Sequence, residues 1–205
     1  MTEEKTVQPY EIGELDQYLF GNGTHYELYK KMGAHLVTVD GVKGVYFAVW
    51  APHAKSVSVI GEFNEWDLNA DMMQRHDPMG IYTKFVPGAK EGQLYKFCIE
   101  TQNGAKIDKA DPFANYAELR PGNASRITDI SNLKWSDSSW MKKREKWDEK
   151  TNPMSIYEVH MGSWMRHPGR EDEGFYTYRE FAERITEYVK DMGYTHVELM
   201  GISEY

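Results

Sequence analysis

Leu36-Val37-Thr38-Val39-Asp40-Gly41, running on to Val45-Tyr46-Phe47-Ala48-Val49-Trp50, is the stretch whose reading decides the fold. Apolar side chains recur along it with a period of two, and Asp40-Gly41 is a pair favoured in two-residue hairpins. Pro52 closes the second run, since proline cannot donate to a strand ladder. Val57-Ser58-Val59-Ile60, Ile81-Tyr82-Thr83-Lys84-Phe85-Val86 and Leu94-Tyr95-Lys96-Phe97-Cys98-Ile99 follow, each bounded by Gly, Pro or Asn. Short strands at this spacing predict a mainly β chain built on an antiparallel β-sandwich, spanning residues 34–128.

Outside that block the pattern changes. Residues 1–33 carry helical signals broken by glycine. In this segment Thr24 and Glu27 form a Thr-x-x-Glu capping box, which predicts a helix with Tyr26, Leu28, Tyr29 and Met32 on its apolar faces. Residues 129–154 are charge-dense, with Trp135, Trp140 and Trp147 spaced through them, and read as a linker or strap between domains. Residues 155–205 read as strand (156–160), amphipathic helix (178–192) and strand (196–200), with Thr177 and Glu180 as a second capping box and Gly193 as the stop.

A βαβ unit belongs to a larger parallel sheet or barrel. The chain is therefore expected to be the front of a longer protein, with the rest of a barrel C-terminal to Tyr205. On this reading residues 34–128 fold alone, while 155–205 stay mobile or associate through their open edges.

Composition narrows the partners. Across 205 residues, 40% hydrophobic and 14% aromatic content describes a chain with a core. A net charge of −8 argues against nucleic acid or an anionic membrane. Lys142-Lys143-Arg144 is interrupted by Glu145, Asp148 and Glu149 and reads as a solvated face. Cys98 is the single cysteine, so no intrachain disulfide or cysteine metal cage exists. Alternation places it on the strand face of Lys96, as a small filler. His25, His35, His160 and His196 show no metal-ligand spacing, and no glycine-rich phosphate loop occurs. Neither a metal nor a cofactor is expected. With no apolar leader and no apolar run of 18 residues, the expected location is the cytoplasm.

One turn stands out chemically. Gly61-Glu62-Phe63-Asn64-Glu65-Trp66-Asp67 directly follows a strand and holds two aromatic residues. An indole beside polar groups suits the C–H face of a glucose ring. From spacing alone, the plainer reading of Trp66 as a cap on one end of the sandwich core is the favoured one.

Val49-Trp50-Ala51-Pro52, the run from Val57 to Trp66, Tyr95-Lys96-Phe97 and Lys109-Ala110-Asp111-Pro112 together resemble carbohydrate-binding module family 48. That family has an immunoglobulin-like sandwich, found before the catalytic barrel of branching and debranching enzymes and in glycogen-binding regulatory subunits. The stretches from Tyr18 to Tyr26, Lys31 to His35, Ala117 to Gly122, Ile156 to Trp164 and Tyr194 to Met200 are similar to the glycogen branching enzyme family.

The resemblance implies a (β/α)8 barrel of the glycoside hydrolase family 13 type, of which residues 155–205 would be the first βαβ unit. It also implies a glycosyltransferase that moves α-1,4-glucan segments to 6-hydroxyls by a retaining mechanism. Such chemistry needs two carboxyl groups roughly 5 Å apart. In the family the catalytic carboxylates sit on barrel strands four, five and seven, so no catalytic residue is carried over and the chain as given is expected to be inactive. Glu158, Glu198 and Glu204 are not counterparts of them. Gly201 and Tyr205 depart from the family's usual Pro and His.

For glucan binding, the resemblance points to Trp66 as stacking platform and Lys96 as hydroxyl donor. The ligands would be α-1,4-glucans: glycogen, amylose and maltooligosaccharides. The second tryptophan of the regulatory subunits has no aromatic counterpart in Thr101–Ile107. Two alternatives stand beside this reading. One is a stand-alone glycogen-binding or scaffolding module without catalysis. The other is the front of a debranching or trehalose-forming relative, against which the Tyr18–Tyr26 and Ala117–Gly122 stretches speak.

Overall fold

The computed structural model describes residue 8, residues 10–169 and residues 174–202. Glu204 and Tyr205 lie outside the described residues. The chain divides into two units, Met1–Leu133 and Lys134–Tyr205. Among the described residues, no helix is long and apolar enough to cross a membrane.

The first unit is an antiparallel sandwich. One sheet has the order β1-β2-β5-β4, from β1 (Gly33–Val39), β2 (Val42–Trp50), β4 (Gln74–His76) and β5 (Ile81–Pro87). The other has the order β3-β6-β7, from β3 (Ser56–Gly61), β6 (Leu94–Glu100) and β7 (Lys106–Lys109), with β8 (Ser125–Arg126) also paired to β6. The β1–β2 hairpin closes through Asp40 and Gly41 at φ +50° and +80°. Positive φ at both central residues matches the hairpin to the twist of its strands.

Between the sheets lie Val45, Phe47 and Val49 of β2, Val57 and Val59 of β3, Tyr82 and Val86 of β5, and Tyr95 and Phe97 of β6. Phe47 is their centre, with ring centroids 5.1 Å from Tyr95 and 5.5 Å from Phe63.

The outer face of the first sheet is also covered. Tyr46, Ala48 and Ile81 pack with Ile12 and Met32, and Tyr10, Phe20 and Leu28 lie against them. Every residue from Gly44 to Val49 is therefore buried, which is why that run is apolar at consecutive positions. The segment before β1 belongs to the same unit as the sandwich and supplies part of its core.

That segment holds α1 (Glu14–Gly21) and a single 3-10 turn at Leu28–Lys30. The helix expected from the Thr24 box does not form. Asp16 accepts from the Gly13 N–H at 2.8 Å and from His25 Nε2 at 2.8 Å, and pairs with Lys31 Nζ at 3.1 Å. These contacts curl the chain back onto α1. The Thr24 N–H then donates to the Leu19 carbonyl at 2.9 Å, and Glu27 pairs with Lys30 instead of capping. Burial alone would raise the Asp16 carboxyl, but its three donors hold it below the usual carboxylate range.

In the second unit α2 (Ser138–Arg144) precedes β9 (Ile156–His160), the one-turn α3 (Met161–Trp164), α4 (Tyr178–Asp191) and β10 (His196–Met200). β9 and β10 pair in parallel from Ile156↔His196 to His160↔Met200. The Glu180 N–H donates to Thr177 Oγ1, and the Thr177 N–H donates to the Glu180 carboxylate at 2.8 Å, so the expected capping box forms. α4 buries Phe181 and Ile185 with Val159 and Tyr176, and the Trp164 ring stands 5.5 Å from Phe181. All five residues of β10 are exposed.

Met32 is 1% exposed although it precedes the sandwich strands. Met32→Ala is expected to destabilise the first unit by about 2–4 kcal/mol, measured by urea unfolding of the sandwich. A change within error would show that the segment before β1 is not part of the core.

Candidate functional site

The turn after β3 is fixed by side-chain hydrogen bonds. Asn64 Oδ1 accepts from the Gly61 N–H at 2.9 Å, while its Nδ2 donates to the Val59 carbonyl at 3.0 Å and to Asp71 at 2.9 Å. The Trp66 N–H donates to the Gly61 carbonyl at 2.9 Å, and the Asp67 N–H to the Asn64 carbonyl at 3.0 Å. Held this way, Glu65 and Trp66 both take left-handed backbone, at φ +53° and +61°. That conformation costs roughly 1–2 kcal/mol for a residue with a Cβ, and it persists where the surroundings over-determine it. Trp66 is 37% exposed, so its indole is not absorbed into the core.

β6 delivers the second group to the same end of the sheet. Lys96 stands opposite Ile60, one rung before Gly61↔Tyr95 closes the ladder. A Cβ at Gly61 would lie 2.4 Å from the Leu94 carbonyl oxygen, so glycine is required for that last rung. The turn is tied to β6 again where the Leu94 N–H donates to Glu62 Oε2 at 2.8 Å. Tyr95 and Phe97 point into the core, which places Lys96 on the outer face.

A third residue joins them. Lys96 Nζ donates to Asn123 Oδ1. Asn123 lies just before β8, whose Ser125 pairs with Tyr95. No local motif marks Asn123, because a contact across 27 residues leaves no local signal.

The outer face of the second sheet is partly roofed. Lys106 Nζ on β7 stands 3.5 Å from Asn69 Oδ1, so the loop after Trp66 reaches across toward β7. Ser58, Ile60 and Cys98 are accordingly buried although they face outward. Cys98 is the small filler the alternation implied. Burial, and then Asp108, push its thiol up, so little of it is thiolate. The β6–β7 turn closes with the Thr101 N–H on the Ala105 carbonyl at 2.9 Å and brings no aromatic ring to the site. Among the described residues, no cluster of His, Cys, Asp and Glu is arranged to hold a metal ion.

A buried polar node anchors this end of the sandwich. Tyr95 Oη donates to Asp111 Oδ2 at 2.6 Å, the Phe113 N–H donates to Asp111 Oδ1 at 2.8 Å, and the Asp111 N–H donates to Ser125 Oγ at 2.8 Å. Burial pushes the Asp111 carboxyl up to about 6, against the lowering effect of its Tyr95 and Phe113 donors. Burial, and then the Asp111 charge, push the Tyr95 hydroxyl up as well.

An indole on a hydrogen-bonded turn, at the end of the ladder that also carries an ammonium and a carboxamide, suits a ligand with an apolar ring face and a rim of hydroxyls, which describes a sugar.

Residues 31–114 match carbohydrate-binding module 48 (isoamylase N-terminal domain).

Along nearly its whole length the chain is also similar to the N-terminal part of 1,4-alpha-glucan branching enzymes. Identity is 57% over 194 residues with GlgB of Butyrivibrio fibrisolvens, covering 95% of this chain and 30% of the relative. It is 50% over 207 residues with GlgB of Rhodopirellula baltica, covering 99% and 28%. The chain thus spans under a third of the length of these curated relatives. Among solved structures, pullulanase from Bacillus acidopullulyticus superposes with a TM-score of 0.61 at 22% identity, over 85% of this chain and 22% of that one, which shows a shared fold.

The raised Asp111 carboxyl gives its own contribution to the first unit's stability a definite pH sign. The folded state binds this proton near pH 6 and an ordinary aspartate near 3.8. Its contribution is therefore complete below about 3.8 and is lost as pH rises through about 6. Taken as wild type minus Asp111→Asn, the urea midpoint difference is expected to rise from pH 7.5 to pH 4.5. A flat difference would show that the carboxyl titrates normally.

Proposed function

We propose that this chain is the amino-terminal portion of a 1,4-α-glucan branching enzyme and that its module 48 domain holds α-1,4-glucan at Trp66, Lys96 and Asn123. The observation that carries the binding reading is the end of the β3–β6 ladder. There, a strained, hydrogen-bonded turn presents Trp66 at the same end of the sheet as the Lys96–Asn123 pair. A glucose ring stacks on the indole, Lys96 donates to its hydroxyls, and the Asn123 carboxamide offers both a donor and an acceptor. One platform without a second aromatic gives weak binding per site.

The enzyme reading is supported by the similarity to branching enzymes and by the geometry of the second unit. A parallel pair bridged by α4 is the repeating element of a (β/α)8 barrel. Ile156, Val197, Leu199 and Met200 are all exposed on its strands, and parallel sheets are normally covered on both faces. In the whole protein that barrel would carry the retaining transfer of glucan segments to 6-hydroxyls. The 205-residue chain alone is read as a binding and bracing portion without catalysis.

Two measurements test this reading. In native gels containing glycogen, the chain is expected to be retarded and Trp66→Ala to lose most of that retardation, with Lys96→Ala intermediate. Equal mobility of wild type and Trp66→Ala would remove the binding site. Incubated with amylose, the purified chain is expected to form no α-1,6 linkages by proton NMR; their appearance would overturn the assignment of catalysis to a barrel beyond these two strands.

A further inference from the structure

The stretch Ala117-Glu118-Leu119-Arg120-Pro121-Gly122 forms the loop from which Asn123 projects. Its neck is closed by the Ala117↔Ser125 bridge and by the Glu118 N–H donating to the Ala124 carbonyl at 2.8 Å. The Gly122 N–H donates to the Leu119 carbonyl at 3.0 Å. The Glu118 side chain then folds inward. Its Oε2 accepts from the Ala124 N–H at 3.1 Å, and its carboxyl carbon lies 2.1 Å from where a Cβ on Gly122 would stand. One carboxylate thus contacts both residues flanking Asn123, and the glycine on one side is the space it occupies.

We propose that Glu118 is a positioning residue for glucan binding: it sets the backbone of Asn123, and through Asn123 the direction of the Lys96 ammonium. This rests on the reading of Trp66, Lys96 and Asn123 as a glucan site. Lys96 carries a flexible stem with freely rotating donors, so its direction depends on the acceptor that holds it. Asn123 is that acceptor, and its own place is fixed by a loop whose interior the Glu118 carboxylate fills. Gly122 shows no left-handed backbone that would exclude alanine. A methyl there would displace the movable carboxylate rather than the main chain.

The test uses the intact 205-residue chain, glycogen in native gels and maltoheptaose in NMR titration, at a temperature well below every variant's unfolding midpoint. Glu118→Ala is expected to weaken binding about fivefold, the effect of one lost orienting hydrogen bond. Glu118→Gln, which keeps an acceptor for the Ala124 N–H, is expected to stay within about twofold of wild type. Gly122→Ala, with the carboxylate still present but displaced, is expected to match Glu118→Ala. In an Asn123→Ala background, Glu118→Ala is expected to add no further loss, because its route to the ligand is already cut.

The Asn123 side-chain amide signals are expected to shift in Glu118→Ala and to hold in Glu118→Gln, with or without ligand. Wild-type affinity in folded Glu118→Ala, or losses that add in the double variant, would overturn the positioning role and leave the glucan site standing. Failure of wild type itself to bind glycogen or maltoheptaose would instead overturn the site and the inference together.

Discussion

The antiparallel ladder between β3 and β6 is the element on which both the core and the candidate binding surface of the first unit depend. Its inner face supplies Val57, Val59, Tyr95 and Phe97 to the core. Its outer face carries Lys96, and its end launches the turn that holds Trp66. Because the side-chain period of a strand is two, slipping this register by one residue would send Lys96 inward and Tyr95 outward. The last rung is the most constrained, since Gly61 admits no side chain against the Leu94 carbonyl. Core and site are two faces of one piece of backbone.

Much of this frame was legible in the residues, and the exceptions have physical causes. The hairpin at Asp40-Gly41, the strands containing Val57, Phe85 and Phe97, and the Thr177 box all follow from local pattern. The Thr24 box did not predict its segment, because contacts of Asp16 with His25 and Lys31 outweigh one capping interaction. β7 was missed because all four of its residues are exposed, so no face shows a period. β8 is too short to have one. The run from Val45 to Val49 read as alternation, but the consecutive burial of Tyr46 and Ala48 was the signature of a second covering layer. Trp66 could be located after a strand and a glycine; its left-handed backbone could not, since Glu and Trp rarely adopt it without tertiary hydrogen bonds. Asn123 could not be found locally at all.

The strained turn and the single platform bear on the kind of binding this surface supports. A rigid indole loses little freedom when a ring stacks on it, so under the proposed reading the strain in Glu65 and Trp66 would act as preorganisation. On the proposed glucan reading, with no second ring from the β6–β7 turn, the contact area would be small and each encounter brief. Glycogen, however, presents many equivalent chain ends on one particle. A weak site of the proposed kind, released from one chain end, would find others at high local concentration, and this effective concentration would raise retention without any new contact. Low intrinsic affinity also leaves a glucan free to slide or leave, which a tight site would prevent.

The second unit follows the opposite logic. Its core is one-sided: α4 buries Phe181 and Ile185 against β9, whereas β10 stays exposed along its full length. Trp164 and Tyr157 strengthen that one side through an Nε1–H to Oη hydrogen bond at 2.9 Å. Hydrogen bonds within the parallel pair satisfy only one edge of each strand, so the remaining backbone groups of β9 and β10 are open to pairing. An isolated pair of strands is marginal in water, and it becomes stable as more strands and helices bury its faces. On the proposed branching-enzyme reading, the apolar side chains along β10 are the surface that further sheet would cover. The two units therefore differ in packing: the first is covered on both faces of its β1–β2–β5–β4 sheet, while the βαβ unit buries one side alone.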